Sequence, residues 1–149
     1  MENEHLIALG RLTVTFGTLE VYLKFIFSAL VNVDQRRGML LASDLSFKQI
    51  TTACRALAPE LMPPEKNEAF QILLPQIVKI EERRNQFTHS NYAVEKGVVT
   101  RVKMSIKGRA VRTTAEIVTP ESIAAVSDEI RRVCDLLKPF MDDAQKGAY

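Results

Sequence analysis

The stretch FQILLPQIVKIEERRNQFTHS, Phe70–Ser90, decides the fold expected for this chain. Its apolar residues recur at three- and four-residue steps, which predicts one face of an amphipathic helix; they are Phe70, Leu73, Leu74, Ile77, Ile80 and Phe87. Proline suits the first helical position, so we expect this helix to run from near Pro64 to about Thr88, with a kink at Pro75. Continuing the stripe places Arg84 near the centre of the inward face.

The remaining sequence predicts one domain, residues 1–149, that is mainly α-helical. A long apolar stripe from Glu4 to about Val33 indicates a first helix. Ser46 and Gln49 have the spacing of a capping box and open a third helix, while Thr119 and Pro120 suit the N-cap and first position of the last. The helices expected besides the fourth cover Glu4 to Val33, Gln35 to Ala42, Phe47 to Leu57, and the segment after Pro120.

Between the last two helices the apolar period changes to two, which predicts a β-hairpin insertion at about residues 92–118. The apolar set on the first strand is Val98, Val102, Met104 and Ile106, and the return strand covers Val111–Ile117 after a turn at Lys107 and Gly108. Arg101, Lys103 and Arg112 are then expected on the solvent face. They could bind an RNA backbone while Tyr92 stacks on a base, or they could only keep a sheet edge from pairing.

Composition favours an ordinary globular protein, since 46% of the residues are hydrophobic and the net charge is +2. Positive charge is concentrated between Asn91 and Thr114, a segment that contains six Lys and Arg residues and one Glu. The longest apolar region is interrupted by Lys24, and the start of the chain lacks the pattern of a secretory signal, so we expect no membrane span and a cytoplasmic location. Cys54 and Cys134 have no metal-ligand spacing and are expected as buried apolar groups.

An arginine that points inward needs a counter-charge or a polar cavity, because it does not lose its proton. One interpretation of Arg84 is a buried ion pair with Glu81 or Glu20; the other is a cleft that binds a phosphate. His89 could interact only with the helix carboxyl end. On a regular helix Arg84 and His89 project about 140° apart, so a shared site requires the helix to end between them, the arginine to wrap round, or a second subunit. Arg83 is expected on the solvated face.

Arg84, Asn85, three further residues and His89 resemble the motif of the HEPN superfamily, in which histidine follows arginine after four to six residues. The wider pattern also resembles uncharacterised bacterial HEPN-like proteins. It combines a long first helix carrying FGTLE with SDLSFKQI, ERRNQFTHSNY, a hairpin and a closing helix. The likeness covers most of the chain, although only RNQFTH is a specific motif. Ser90 departs from the family, where glycine often follows the histidine.

The resemblance implies an antiparallel helical bundle that forms a homodimer, with two motifs in one cleft. In active members this cleft is a metal-independent endoribonuclease of toxin–antitoxin, phage-defence or RNA-processing systems, so RNA and an antitoxin or operon partner are expected, with no cofactor and no metal. The family motif, matched residue by residue, implies that His89 is the general acid or base and that Arg84 holds the scissile phosphate. It implies that Asn85 orients one of these two side chains. Glu20, Glu81 and Thr88 are supporting candidates. The alternative is a non-catalytic interaction or nucleotide-binding module.

Overall fold

A computed structural model describes residues 3–107 and 110–147, which form five helices and one three-stranded antiparallel sheet. The mainly helical fold is therefore as expected. The elements are α1 Asn3–Leu30, α2 Gln35–Ser43, α3 Phe47–Leu61, α4 Pro64–Thr88, β1 Asn91–Glu95, β2 Val98–Lys107, β3 Ala110–Ile117 and α5 Pro120–Gln145.

The core is built around α1, which packs along α5 and also against α2 and α3. Its inward face repeats at helical spacing, and α4 and α5 present matching stripes. The larger fully buried side chains are Leu12, Phe16, Leu19, Leu23, Ile26, Leu30, Ile50, Phe70, Leu74, Ile77, Ile80 and Ile123. The Arg84 motif thus lies at the end of a helix whose preceding turns are fixed in the core.

The third helix is longer than expected because the carbonyl that Pro59 leaves free has another partner. A proline has no N–H to donate to the residue four positions earlier, which here is Arg55. The Gln71 side-chain amide on α4 donates to the Arg55 carbonyl at 3.1 Å. The predicted end at Leu57 was therefore wrong, and α3 continues through Pro59 to Leu61.

Several helix ends follow from their capping residues. Ser46 and Gln49 form the predicted capping box of α3, and Thr119 caps α5 together with Ser122. The first helix ends at Leu30, three residues before the predicted Val33. The fourth helix has the predicted bounds and runs through Pro75 as one element.

The predicted hairpin is part of a larger sheet, because β1 adds a third strand in the order β1-β2-β3. Tyr92 lies opposite Arg101, and Lys103 lies opposite Thr114. The predicted turn at Lys107 and Gly108 extends outside the described residues.

The assignment of the two sheet faces was wrong for Arg101 and for the apolar residues Val98 and Met104, whereas Lys103 and Arg112 are exposed as expected. Val99 is 2% exposed and lies on the same face as Arg101, whereas Val98 and Met104 on the other face are 44% and 63% exposed. Arg101 packs over the Phe87 ring of α4, with its side chain only 15% exposed. Alternation was predicted correctly, but the contact between sheet and helices covers Val99 and Arg101 on the odd-numbered face of β2 and leaves Val98 and Met104 exposed.

Gly38 is required by the close approach of α2 to α1. A Cβ at this position would lie 2.5 Å from Ser28 Cβ and 2.7 Å from Ser28 Cα, and a backbone atom cannot yield as a flexible side chain does. We expect Gly38→Ala to lower the free energy of unfolding by about 1–3 kcal/mol, measured by chemical denaturation.

The matched control for Gly38→Ala is the same change at Gly10 or Gly17 in α1, where a new Cβ meets nothing within 4 Å. Alanine in an open helical position should raise stability by about 0.5–1 kcal/mol. Equal effects at Gly38 and Gly10 would show that the α1–α2 approach is not as tight as described.

Helix α1 is long and apolar enough to cross a membrane by length and composition. This is weak evidence for a span, since a core helix of a soluble protein meets the same criterion, and α1 supplies buried residues such as Leu12 and Leu19 to the core. The expected cytoplasmic location stays a prediction.

Candidate functional site

Helix α4 ends at Thr88, so Arg84 and His89 do not lie on one continuous regular helix. His89 lies just beyond the helix, and its backbone N–H donates to the Asn85 carbonyl at 3.1 Å. One of the conditions for a shared site, a helix that ends between Arg84 and His89, is therefore met. The His89 side chain is exposed.

Arg84 lies flat against the core rather than in an ion pair. Its Cζ atom is 4.0 Å from the centre of the Phe16 ring, and one terminal nitrogen donates to Asn85 Oδ1 at 2.8 Å. The Nε atom is buried and has no hydrogen-bond partner within the described part of the chain. Arg84 is thus held by the Phe16 ring and one neutral acceptor, and it forms no ion pair with a carboxylate of the described residues.

The two carboxylates expected to pair with Arg84 do not form an ion pair with it among the described residues. Glu20 and Glu81 are both half-buried. Burial raises the pKa of Glu81, the charges of Arg84 and Lys48 act to lower it, and those of other carboxylates including Glu20 raise it. Glu81 and Arg84 thus interact through their charges without forming an ion pair.

A groove of about 590 Å³ opens beside the end of α4, between that helix and β2. Asn85, His89, Arg101 and Lys103 are the predicted site residues that line it. Arg84 does not itself line the groove; Asn85 does, and its Oδ1 accepts the hydrogen bond from Arg84. The structure therefore brings the histidine, the asparagine and two cations of the basic segment to one cavity.

Four of the predicted residues have other surroundings. The Tyr92 hydroxyl donates to the Phe87 carbonyl at 2.6 Å, and burial raises its pKa, so the ring is held against the helix end. Thr88 donates to the Arg84 carbonyl at 3.1 Å within the helix. Arg112 is exposed on β3, and Glu20 lies on α1; neither lines the groove.

The expectation that Arg83 is an ordinary solvated residue was wrong. It forms an ion pair with Glu129 of α5, because α5 lies on that side of α4. Arg101 likewise pairs with Glu116 of β3, and its second contact is with the Gln86 side-chain oxygen at 3.4 Å. Arg101 is thus already neutralised, whereas Lys103 is exposed and has no ion pair among the described residues.

Other groove residues were not singled out from the sequence: Glu82, Gln86, Ser90, Asn91, Val102 and Met104. Glu82 shares a helical row with Asn85 and His89, so its spacing was a usable signal. No sequence signal marked Asn91 and Met104, because their positions depend on how β2 lies across the helix end. A second groove of about 590 Å³ shares Glu82 and Asn85 and adds Lys48, Arg55 and Lys79.

Neither cysteine belongs to the site. Cys54 and Cys134 are free thiols in the core, as expected, and burial raises their pKa values to about 12 and about 11. A thiol held in its protonated form is a poor nucleophile.

No family model matches the chain, and no curated protein or solved structure matches it. What is shown is a mainly helical fold with a small antiparallel sheet. The resemblance to the HEPN superfamily stays a prediction from the sequence motif.

Proposed function

We propose that the groove beside the end of α4 is the active site of a HEPN-type endoribonuclease. The observation that carries the proposal is the state of Arg84, a half-buried cation with no ion pair among the described residues. It donates to Asn85, which lines the groove together with His89. A guanidinium that forms no ion pair is suited to an anionic ligand. Lys103 at the opposite wall adds attraction for a phosphate backbone.

The chemistry this site supports is transfer within the RNA chain. A neutral His89 imidazole removes the proton of a ribose 2′-hydroxyl, and the 2′ oxygen forms a bond to the adjacent phosphorus. The bond from phosphorus to the 5′ oxygen breaks, and that oxygen takes a proton from a protonated imidazole. The products are a 2′,3′-cyclic phosphate and a 5′-hydroxyl. Arg84 holds the phosphate oxygens as negative charge develops on them.

Two imidazoles would serve this reaction better than one, since one accepts a proton while the other donates it. Each described chain brings only His89 to the groove, and the other histidine, His5, is buried with its Nε2 3.0 Å from the Val118 carbonyl. A homodimer that joins two grooves would supply the second imidazole. The proposal therefore includes dimerisation, with a toxin or defence role and an antitoxin partner as its biological context.

A second candidate is a non-catalytic interaction module, which the stacking of Arg84 on the core residue Phe16 favours. In that case the guanidinium is a structural group.

Arg84→Met distinguishes the two functions, because methionine can cover Phe16 without a charge. We expect the melting temperature to stay the same or rise, since a half-buried cation that forms no ion pair with the described residues is replaced by an apolar chain of similar length. RNA cleavage in EDTA should fall by about 100-fold. Cleavage would be followed with labelled tRNA and mRNA, and unfolding by circular dichroism.

Arg83→Met is the matched control, because the neighbouring arginine contacts Glu129 outside the groove. It should leave cleavage within a few-fold of the unchanged protein. A sharp fall in melting temperature for Arg84→Met, with no RNA cleaved by the unchanged protein, would support the interaction module instead.

A further inference from the structure

The outer edge of the sheet is an unprotected strand. β3 covers Ala110–Ile117 and pairs with β2 on one side only. Every side chain described on it, Val111–Ile117, is exposed. Neither proline nor glycine interrupts this edge, and a long regular edge strand is a template for pairing with another strand.

The register shows which backbone groups of β3 are free. Val118 donates its N–H to the Val99 carbonyl at 2.9 Å. The backbone N–H and C=O groups of the even-numbered residues of β3 therefore point toward β2. Hydrogen-bonding direction alternates along an antiparallel strand. The N–H and C=O groups of the odd-numbered residues therefore point away from the sheet; they are Val111, Thr113, Ala115 and Ile117.

The sequence of β3 is complementary to itself when it is reversed about Thr114. Residues whose numbers add to 228 then lie opposite one another. Val111 meets Ile117, Thr113 meets Ala115, and Arg112 meets Glu116. Every residue that points outward is thus paired with another that points outward, so about eight backbone hydrogen bonds can form between the strands.

The side chains in this register agree with the backbone. Arg112 has no ion pair among the described residues, and the Glu116 side chain is 68% exposed even though Arg101 contacts it. Val111 and Ile117 are 64% and 68% exposed on the opposite face of the sheet. Opposite charges and apolar pairs directly across a ladder are both stabilising.

We propose that β3 pairs with β3 of a second copy of this chain, antiparallel about Thr114, to form a continuous six-stranded sheet. The two β2 strands then lie three strand spacings apart, roughly 14 Å, with both Lys103 side chains on one face. We take this pair to be the homodimer that the proposed function includes, so a single interface and a mass of two chains are expected. The pairing is tested by mass alone, independently of RNA cleavage.

Charge reversal tests the register. By sedimentation equilibrium the unchanged protein should reach twice the chain mass of 16.8 kDa, whereas Arg112→Glu and Glu116→Arg should each weaken dimerisation by about tenfold or more. Mixing the two variants should restore the dimer, since the reversed charge of each chain then lies opposite an unlike charge on the other chain. Lys138→Glu, with the same charge change on the exposed side of α5, should dimerise normally.

Ala115→Pro tests the backbone bonds, because it removes an outward N–H that β2 does not use. The variant should be monomeric with an unchanged circular dichroism spectrum, while Ala115→Val, which keeps the N–H, should remain dimeric. A monomeric unchanged protein overturns the proposal. A dimer that is weakened neither by the charge reversals nor by Ala115→Pro also overturns it, and so do mixed charge variants that fail to associate. Either of these two results would place any dimer contact on another surface, such as the exposed Ile7, Val14 and Val21 of α1.

Discussion

His89→Ala should reduce RNA cleavage by about 10²- to 10⁴-fold without unfolding the protein. The side chain is exposed in the groove and forms no hydrogen bond with the described residues, so its loss leaves no buried group unpaired. The backbone bond from His89 to Asn85 that ends α4 does not depend on the side chain. First-order cleavage rates in EDTA, with melting curves on the same samples, would measure both parts of this expectation.

The other histidine provides the control. His5 is buried beside the start of α5, and its replacement by glutamine keeps a donor for the Val118 carbonyl. His5→Gln should therefore cleave RNA at a rate close to that of the unchanged protein. If His89→Ala cleaves as fast as His5→Gln does, the assignment of His89 as acid or base is wrong.

Phe16→Ala should lower the free energy of unfolding by about 3–5 kcal/mol. The ring is 1% exposed, and it packs on one side against Phe47, at 4.8 Å between centres, and on another against the Arg84 guanidinium. Truncation removes both contacts and opens a cavity beneath α4. The melting temperature should fall by roughly 10 °C, measured by differential scanning calorimetry.

Phe16→Leu separates packing from the support of Arg84. Leucine fills most of the volume, so stability should fall by only about 1 kcal/mol, yet the flat surface under the guanidinium is lost. We expect a folded protein whose RNA cleavage is several-fold slower. Unchanged cleavage in Phe16→Leu would show that the ring does not position Arg84.

Helices were the most predictable part of the fold, because their signals are local. The structure confirms the buried stripe through Leu73, Ile77 and Ile80. It also confirms the helix caps at Ser46 and Thr119. The end of α3 was missed because Pro59 is tolerated only through Gln71, a residue of another helix. The sheet faces were misassigned because apolar alternation does not say which face the helices contact.

The candidate site shows the same division between local and tertiary information. Helical spacing placed Asn85 and His89 in one row, and both line the groove. Spacing could not reveal that Arg84 stacks on Phe16 instead of pairing with Glu20 or Glu81. That contact depends on the distance between α1 and α4, which no single helical wheel contains.

The chemistry of the cut ends tests the central proposal most directly. Purified protein would be incubated with defined RNAs in EDTA, and the fragments would be examined for their terminal groups. Strand scission at Arg84 and His89 predicts 2′,3′-cyclic phosphate on one fragment and 5′-hydroxyl on the other, and no cut where the ribose is 2′-deoxy. Fragments that end in 3′-hydroxyl and 5′-phosphate, or intact RNA across tRNA, mRNA and ribosome-bound substrates, would contradict it.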